Sequence, residues 1–146
     1  MIIPSKLSSG DTIRVIAPSR SMSIISHSII QNAQRCLSEV LWLEVTFGKG
    51  VNEVHYNWSW TVATRVNDIH EAFLDPKVKA VLTVIGGYSS NNLLPYLDYN
   101  IIAKNPKIFC GYSDITALSN AITSQASLMT YNWPHFSSFA MQQGNQ

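Results

Sequence analysis

The stretch "KIFCGYSDITAL", Lys107 to Leu118, joins an apolar strand-like run to a helix-like one and puts Gly111, Tyr112, Ser113 and Asp114 at the join. Two chemistries fit a serine at that place. Ser113 could cap the following helix, its oxygen accepting from a free amide of the first turn, at Ile115 or Thr116. It could instead be a nucleophile on a tight strand-to-helix turn, with Gly111 relieving the crowding of such a turn. A second segment, "GGYSSNN", offers the backbone amides of Gly86 and Gly87 with no side chain to block approach. Amides at a strand-to-helix turn can bind an anion or a developing oxyanion. The same pair also reads as a plain tight turn. The segment lacks the lysine and spacing of a phosphate-binding loop, which argues against a nucleotide site.

A nucleophilic serine needs a base, commonly a histidine oriented by a carboxylate. His27 and His70 fall in predicted helices, where structural roles are expected. His55 stands beside Tyr56, Trp58 and Trp60, which reads as packing or a binding rim. His135, in "WPHFSSF", remains the internal candidate. No two histidines have metal-ligand spacing and neither cysteine has a CxxC partner, so a metal site is not expected. Cys110, closing an apolar strand, reads as a core thiol rather than a nucleophile.

The elements that must position these residues follow from periodicity. Strands are predicted at "TIRVIA" (12–17), "LEVTF" (43–47), "KAVLTVI" (79–85), "KIFC" (107–110) and "LMTYN" (128–132). A helix is predicted over about 24–41, capped by Ser23, with Ile29, Ala33, Cys36, Leu37 and Val40 inward. A second carries Val62, Val66, Ile69 and Phe73 and is stopped before Pro76. A third runs from Ser113 to about Ser124, with Ile115, Leu118 and Ile122 inward. Strands alternating with helices imply right-handed crossovers and a flavodoxin-like α/β fold, a doubly wound, mostly parallel sheet with helices on both faces. Function in such sheets gathers at the carboxyl ends of the strands, where "APSRS", "GGYSSNN" and "GYSD" converge.

Composition narrows the partner. The 146 residues, 46% hydrophobic, suit a single domain. A formal charge of +1 gives no electrostatic footprint for nucleic acid or an anionic membrane. No apolar run approaches a membrane span and the start lacks a secretion signal, so a cytoplasmic protein with reduced thiols is expected.

The run "VKAVLTVIGGYSSNNLLPYLDYNIIAKNPKIFCGYSDITAL" closely resembles the LD-carboxypeptidase family of serine peptidases, which includes the microcin C self-immunity peptidases. The resemblance extends upstream through "GDTIRVIAPSRSM" and downstream to "PHFSSF". It implies that Ser113 is the nucleophile, and that backbone amides of Asp114 and of Gly86 or Gly87 form the oxyanion hole. It also implies a small peptide substrate, a muropeptide or a microcin-like peptidyl-nucleotide, and no cofactor. The family's general-base histidine and orienting glutamate belong to a C-terminal domain absent from this chain. Residues 1–146 are therefore expected to be an N-terminal, nucleophile-bearing domain, inactive alone, that works with the missing domain or as a homodimer. The alternative is a catalytically silent binding or dimerisation module. Ile85 stands where many relatives carry arginine before Gly-Gly, which leans toward the microcin-immunity branch, and Trp133 where a glycine is usual.

Overall fold

Runs of Val, Ile and Thr form strands because branched side chains pack well on a pleated surface. The computed structural model describes residues 1–55 and 60–143. Within them β1 (Thr12–Ile16), β2 (Glu44–Phe47), β3 (Val78–Thr83) and β4 (Ile108–Cys110) make one all-parallel sheet in the order β2-β1-β3-β4. The register pairs Ile16 with Thr83 and Leu82 with Cys110. The carboxyl ends of β1, β3 and β4 therefore come level, and their following loops share one edge.

Helices cover both faces. On one lie α2 (Val62–Leu74), α3 (Tyr99–Lys104) and α4 (Thr116–Ala126), whose Ile69, Phe73, Ile102, Leu118 and Ile122 bury against Ile16, Val81 and Phe109. On the other, α1 (His27–Arg35) and the 3-10 segment Phe136–Gln143 bury Ala33 and Phe136 against Val15, Ala80 and Leu82. Lys107 bolts the first layer to the sheet, its buried ammonium donating to the Ala72 carbonyl at 3.1 Å and to the Asp75 carbonyl at the end of α2. Among the described residues no helix is long and apolar enough to cross a membrane, and no three metal-ligating side chains cluster.

Several expectations are corrected. Residues 128–132 form no strand: this segment touches its neighbours through isolated bridges, Ile2 to Leu128 and Cys110 to Tyr131. Helix α1 starts after Ser26, whose side chain makes no cap bond, and not after Ser23, because Ser21 first caps a short 3-10 turn at Met22–Ile24 with its side chain on the Ser23 amide. Ile29 and Val40 are exposed, at 38% and 60%. Beyond Arg35 the chain widens into a π turn, Cys36–Val40, and the extra residue per turn swings Val40 out to solvent. Helix α3 and the 3-10 segment Ser90–Tyr96 have no counterpart among the elements expected from periodicity. Tyr56 and Trp58 of the predicted rim lie outside the described residues.

Phe109 is fully buried and stacks on Phe73 with ring centroids 6.4 Å apart. Phe109→Ala is expected to lower the unfolding free energy in a urea titration by about 3–5 kcal/mol through transfer and cavity effects. Ile29→Ala should change it by less than about 0.5 kcal/mol, as an exposed side chain does. A large loss at Ile29 would restore the predicted helix face.

Candidate active site

Strand β4 ends against β3 and must turn sharply. A Cβ on Gly111 would lie 2.2 Å from the Thr83 hydroxyl and 2.9 Å from Ile115 Cγ2, so glycine alone permits the turn. Tyr112 is extended, and Ser113 follows at φ 59°, the left-handed region that non-glycine residues avoid. The Ile115 amide closes the turn on the Tyr112 carbonyl at 3.2 Å. Ser113 is exposed and caps nothing: a 3-10 turn, Ser113–Ile115, intervenes before α4, and neither has a side-chain cap. Its hydroxyl faces a cleft of about 280 Å³ shared with Gly86, Gly87 and Arg20.

Gly86 sits directly across from the serine. A Cβ there would stand 3.0 Å from Ser113 Cβ, 3.2 Å from Ser113 Oγ and 3.5 Å from the Asp114 amide nitrogen. Glycine at 86 thus keeps open the space between the hydroxyl and that amide. The predicted site residues Ser113, Asp114, Gly86 and Gly87 are brought together.

Sequence reasoning missed what holds them. The Asp114 carboxylate accepts on one oxygen from Ser19 Oγ at 2.5 Å and from the Ser89 and Ser90 amides, both at 3.0 Å. Ser90 Oγ donates back to the Asp114 carbonyl at 2.7 Å. All three strand-end loops are thereby fastened to the residue after Ser113. Arg65, buried on α2, donates to the Pro18 carbonyl at 2.9 Å and to Ser89 Oγ at 3.1 Å. Burial pulls its guanidinium below its ordinary pKa, and the nearby Asp114 charge partly opposes that.

The internal histidine also lines the cleft. His135 is buried under the Tyr112 ring, with centroids 4.1 Å apart, and its Nδ1 pairs with Thr83 Oγ1 at 2.8 Å. Thr83 donates its own proton to the Cys110 carbonyl at 3.2 Å, so we assign the imidazole proton to Nδ1. Nε2 is buried without a well-formed hydrogen bond. Burial lowers the pKa of His135 to about 4, too weak a base to serve near neutral pH. His27 is exposed, His70 accepts from the Asp98 amide at 2.9 Å, and His55 packs edge-on to Trp60. The remaining thiol of interest, Cys110, belongs to an apolar groove of about 340 Å³ with Leu37, Leu43 and Phe139, and burial pushes it up to about 11. Trp133 adopts φ 137°, a conformation glycine takes without strain.

His135 links site and stability. Its folded pKa lies below the ordinary 6.5, so the unfolded chain binds more protons between about pH 4 and 6.5. Its contribution is complete above that window and is lost as pH falls through it. His135→Gln is expected to flatten the acid limb of a stability-against-pH curve by an amount of the order of 1 to 3 kcal/mol. An unchanged slope would show that His135 titrates normally.

With this geometry in view, the relatives are informative. The LD-carboxypeptidase N-terminal domain family matches residues 13–132. A putative carboxypeptidase of Bacillus subtilis, YocD, is 51% identical over 140 residues, covering 96% of this chain and 43% of the relative. The microcin C7 self-immunity protein MccF of Escherichia coli is 31% identical, covering 91% of this chain and 38% of its own length. The crystal structure of an MccF-like protein from Bacillus anthracis superposes with a TM-score of 0.96 at 53% identity, over 99% of this chain and 44% of that one. The chain thus spans about two fifths of the length of the curated relatives it matches. By sequence and by fold alike, it belongs to the LD-carboxypeptidase N-terminal domain family.

Proposed function

We propose that this chain is the nucleophile-bearing domain of a two-domain serine carboxypeptidase acting in the cytoplasm. The observation that carries the reading is Ser113 itself: exposed, its hydroxyl without a hydrogen-bond partner among the described residues, and held at φ 59° against the open face of Gly86. Strain of this kind, of order 1–3 kcal/mol, persists only where surrounding contacts over-determine it, and it collects at functional sites.

In the proposed reaction Ser113 Oγ attacks the carbonyl of an amide next to a C-terminal residue. Its proton passes to a base, and the carbonyl oxygen becomes an oxyanion held by the Asp114 amide and an amide of the Gly86–Gly87 turn. Collapse of the tetrahedral intermediate releases the C-terminal residue, leaving an acyl group on Ser113. Water then hydrolyses the ester. With His135 at about 4, the base and its orienting carboxylate come from a C-terminal domain, as the family resemblance implies. Relatives named for murein peptides and for microcin immunity support a muropeptide or a peptidyl-nucleotide as substrate.

The tests separate chemistry from structure. Residues 1–146 alone should show no more than a residual acceleration of roughly 10³–10⁴ over water. In a protein joining this chain to a family C-terminal domain, Ser113→Ala should abolish turnover with less than about 1 kcal/mol change in stability. Gly86→Ala should lower kcat at least about a hundredfold by filling the oxyanion position. Substantial turnover in Ser113→Ala would overturn the reading, as would turnover near 1 s⁻¹ by the isolated chain, a typical enzyme rate of about that size.

A further inference from the structure

A carboxypeptidase must recognise a free carboxylate one residue beyond the bond it cuts, and that demand points to a cation beside the nucleophile. Arg20 is the cation of the Ser113 cleft. Among the described residues no carboxylate side chain lines that cleft and Arg20 enters no ion pair. Its Nε is buried with no acceptor among the described residues. Ser19, fully buried and bonded to Asp114, fixes its backbone.

The side chain is also held in place. A Cβ on Gly87 would lie 2.8 Å from Arg20 Cγ and 3.2 Å from Cδ, so the aliphatic stem rests directly on the Gly87 backbone. The guanidinium then stacks over the Tyr88 ring, 5.2 Å from its centroid, although that ring is 77% exposed. A guanidinium held over an aromatic ring keeps its N–H donors for an acceptor approaching in its plane, and a carboxylate can take two of them. Spacing agrees with the chemistry: Gly86 faces Ser113 and the next residue, Gly87, faces Arg20. Consecutive residues of one turn thus meet the nucleophile and the arginine stem, and both side chains line one cleft, an order that suits a substrate whose scissile carbonyl and terminal carboxylate belong to neighbouring groups. We propose that Arg20, stacked on Tyr88, binds the C-terminal carboxylate of the substrate and so sets the requirement for a free carboxyl end. The assignment rests on the serine carboxypeptidase reading with a muropeptide as substrate, since a peptidyl-nucleotide has no free carboxylate beyond the scissile amide.

N-acetyl-D-alanine carries an amide carbonyl and a terminal carboxylate in this relation, and N-acetyl-D-alaninamide lacks only the charge. Titrated into the 146-residue chain and followed by backbone amide shifts, the acid is expected to move Gly86, Gly87, Tyr88 and Ser113, with the amide binding about tenfold more weakly or worse. Arg20→Gln should reduce the acid to the affinity of the amide, and Arg20→Lys should restore part of the difference. Should Arg20→Gln disturb the fold, Tyr88→Ala, at an exposed position, should weaken the acid severalfold with distant shifts unchanged. Equal binding of acid and amide, undiminished acid binding by Arg20→Gln, or shifts with neither ligand would each overturn the proposal. Equal binding alongside Ser113-dependent turnover would sink this inference alone. Acid-selective binding without such turnover would sink the peptidase reading and leave the carboxylate site standing.

Discussion

The site depends on one carboxylate oxygen. Asp114 Oδ2 gathers the Ser19 hydroxyl and two consecutive amides, Ser89 and Ser90, onto the residue next to Ser113. Hydrogen bonds to a charged acceptor contribute about 1.5–3 kcal/mol each, and a buried donor left without one costs a comparable amount. Removing the carboxylate would therefore release three loops together. Each loop carries something the cleft needs: Arg20 after β1, the glycine pair after β3, and Ser113 after β4. Arg65 backs this arrangement from α2, its guanidinium on the Pro18 carbonyl and the Ser89 side chain.

That clamp explains how a left-handed serine survives. Turning from β4 into α4 in so few residues forces the backbone past Thr83 and Ile115 at a distance only Gly111 allows. The strain then falls on Ser113, whose φ of 59° lifts its hydroxyl away from the helix amides it would otherwise cap. Level strand ends complete the geometry, because the β1–β3–β4 register brings the loops to one height before any side chain acts.

Much of this was legible along the chain. The alternation of branched runs with helical spacing was enough for a parallel α/β sheet, and the glycine and serine between "KIFC" and "DITAL" marked the turn. What escaped was long-range or conformational. The Asp114 side chain meets Ser19 across 95 residues and Ser89 across 25, distances at which no local pattern speaks. The family resemblance points to its backbone amide, and nothing in the local sequence points to its carboxylate. Val40 looked inward until a π turn rotated it out. The run at 128–132 has strand-like composition, yet its backbone pairs with the short β4 and with Ile2 through isolated bridges. His135 was the right histidine to inspect for position, but burial, invisible to spacing, removes its basicity near neutral pH.

The central claim is that Ser113 Oγ forms the covalent bond. The most direct measurement joins this chain to a family C-terminal domain, mixes it with an activated ester of an N-acylated amino acid, quenches in acid within milliseconds and maps the acyl mass by peptide mass spectrometry. The account predicts the added mass on the peptide bearing Ser113, appearing before product and vanishing as hydrolysis proceeds. Turnover with the acyl group on another residue, or with no acylated peptide at any time, would contradict it.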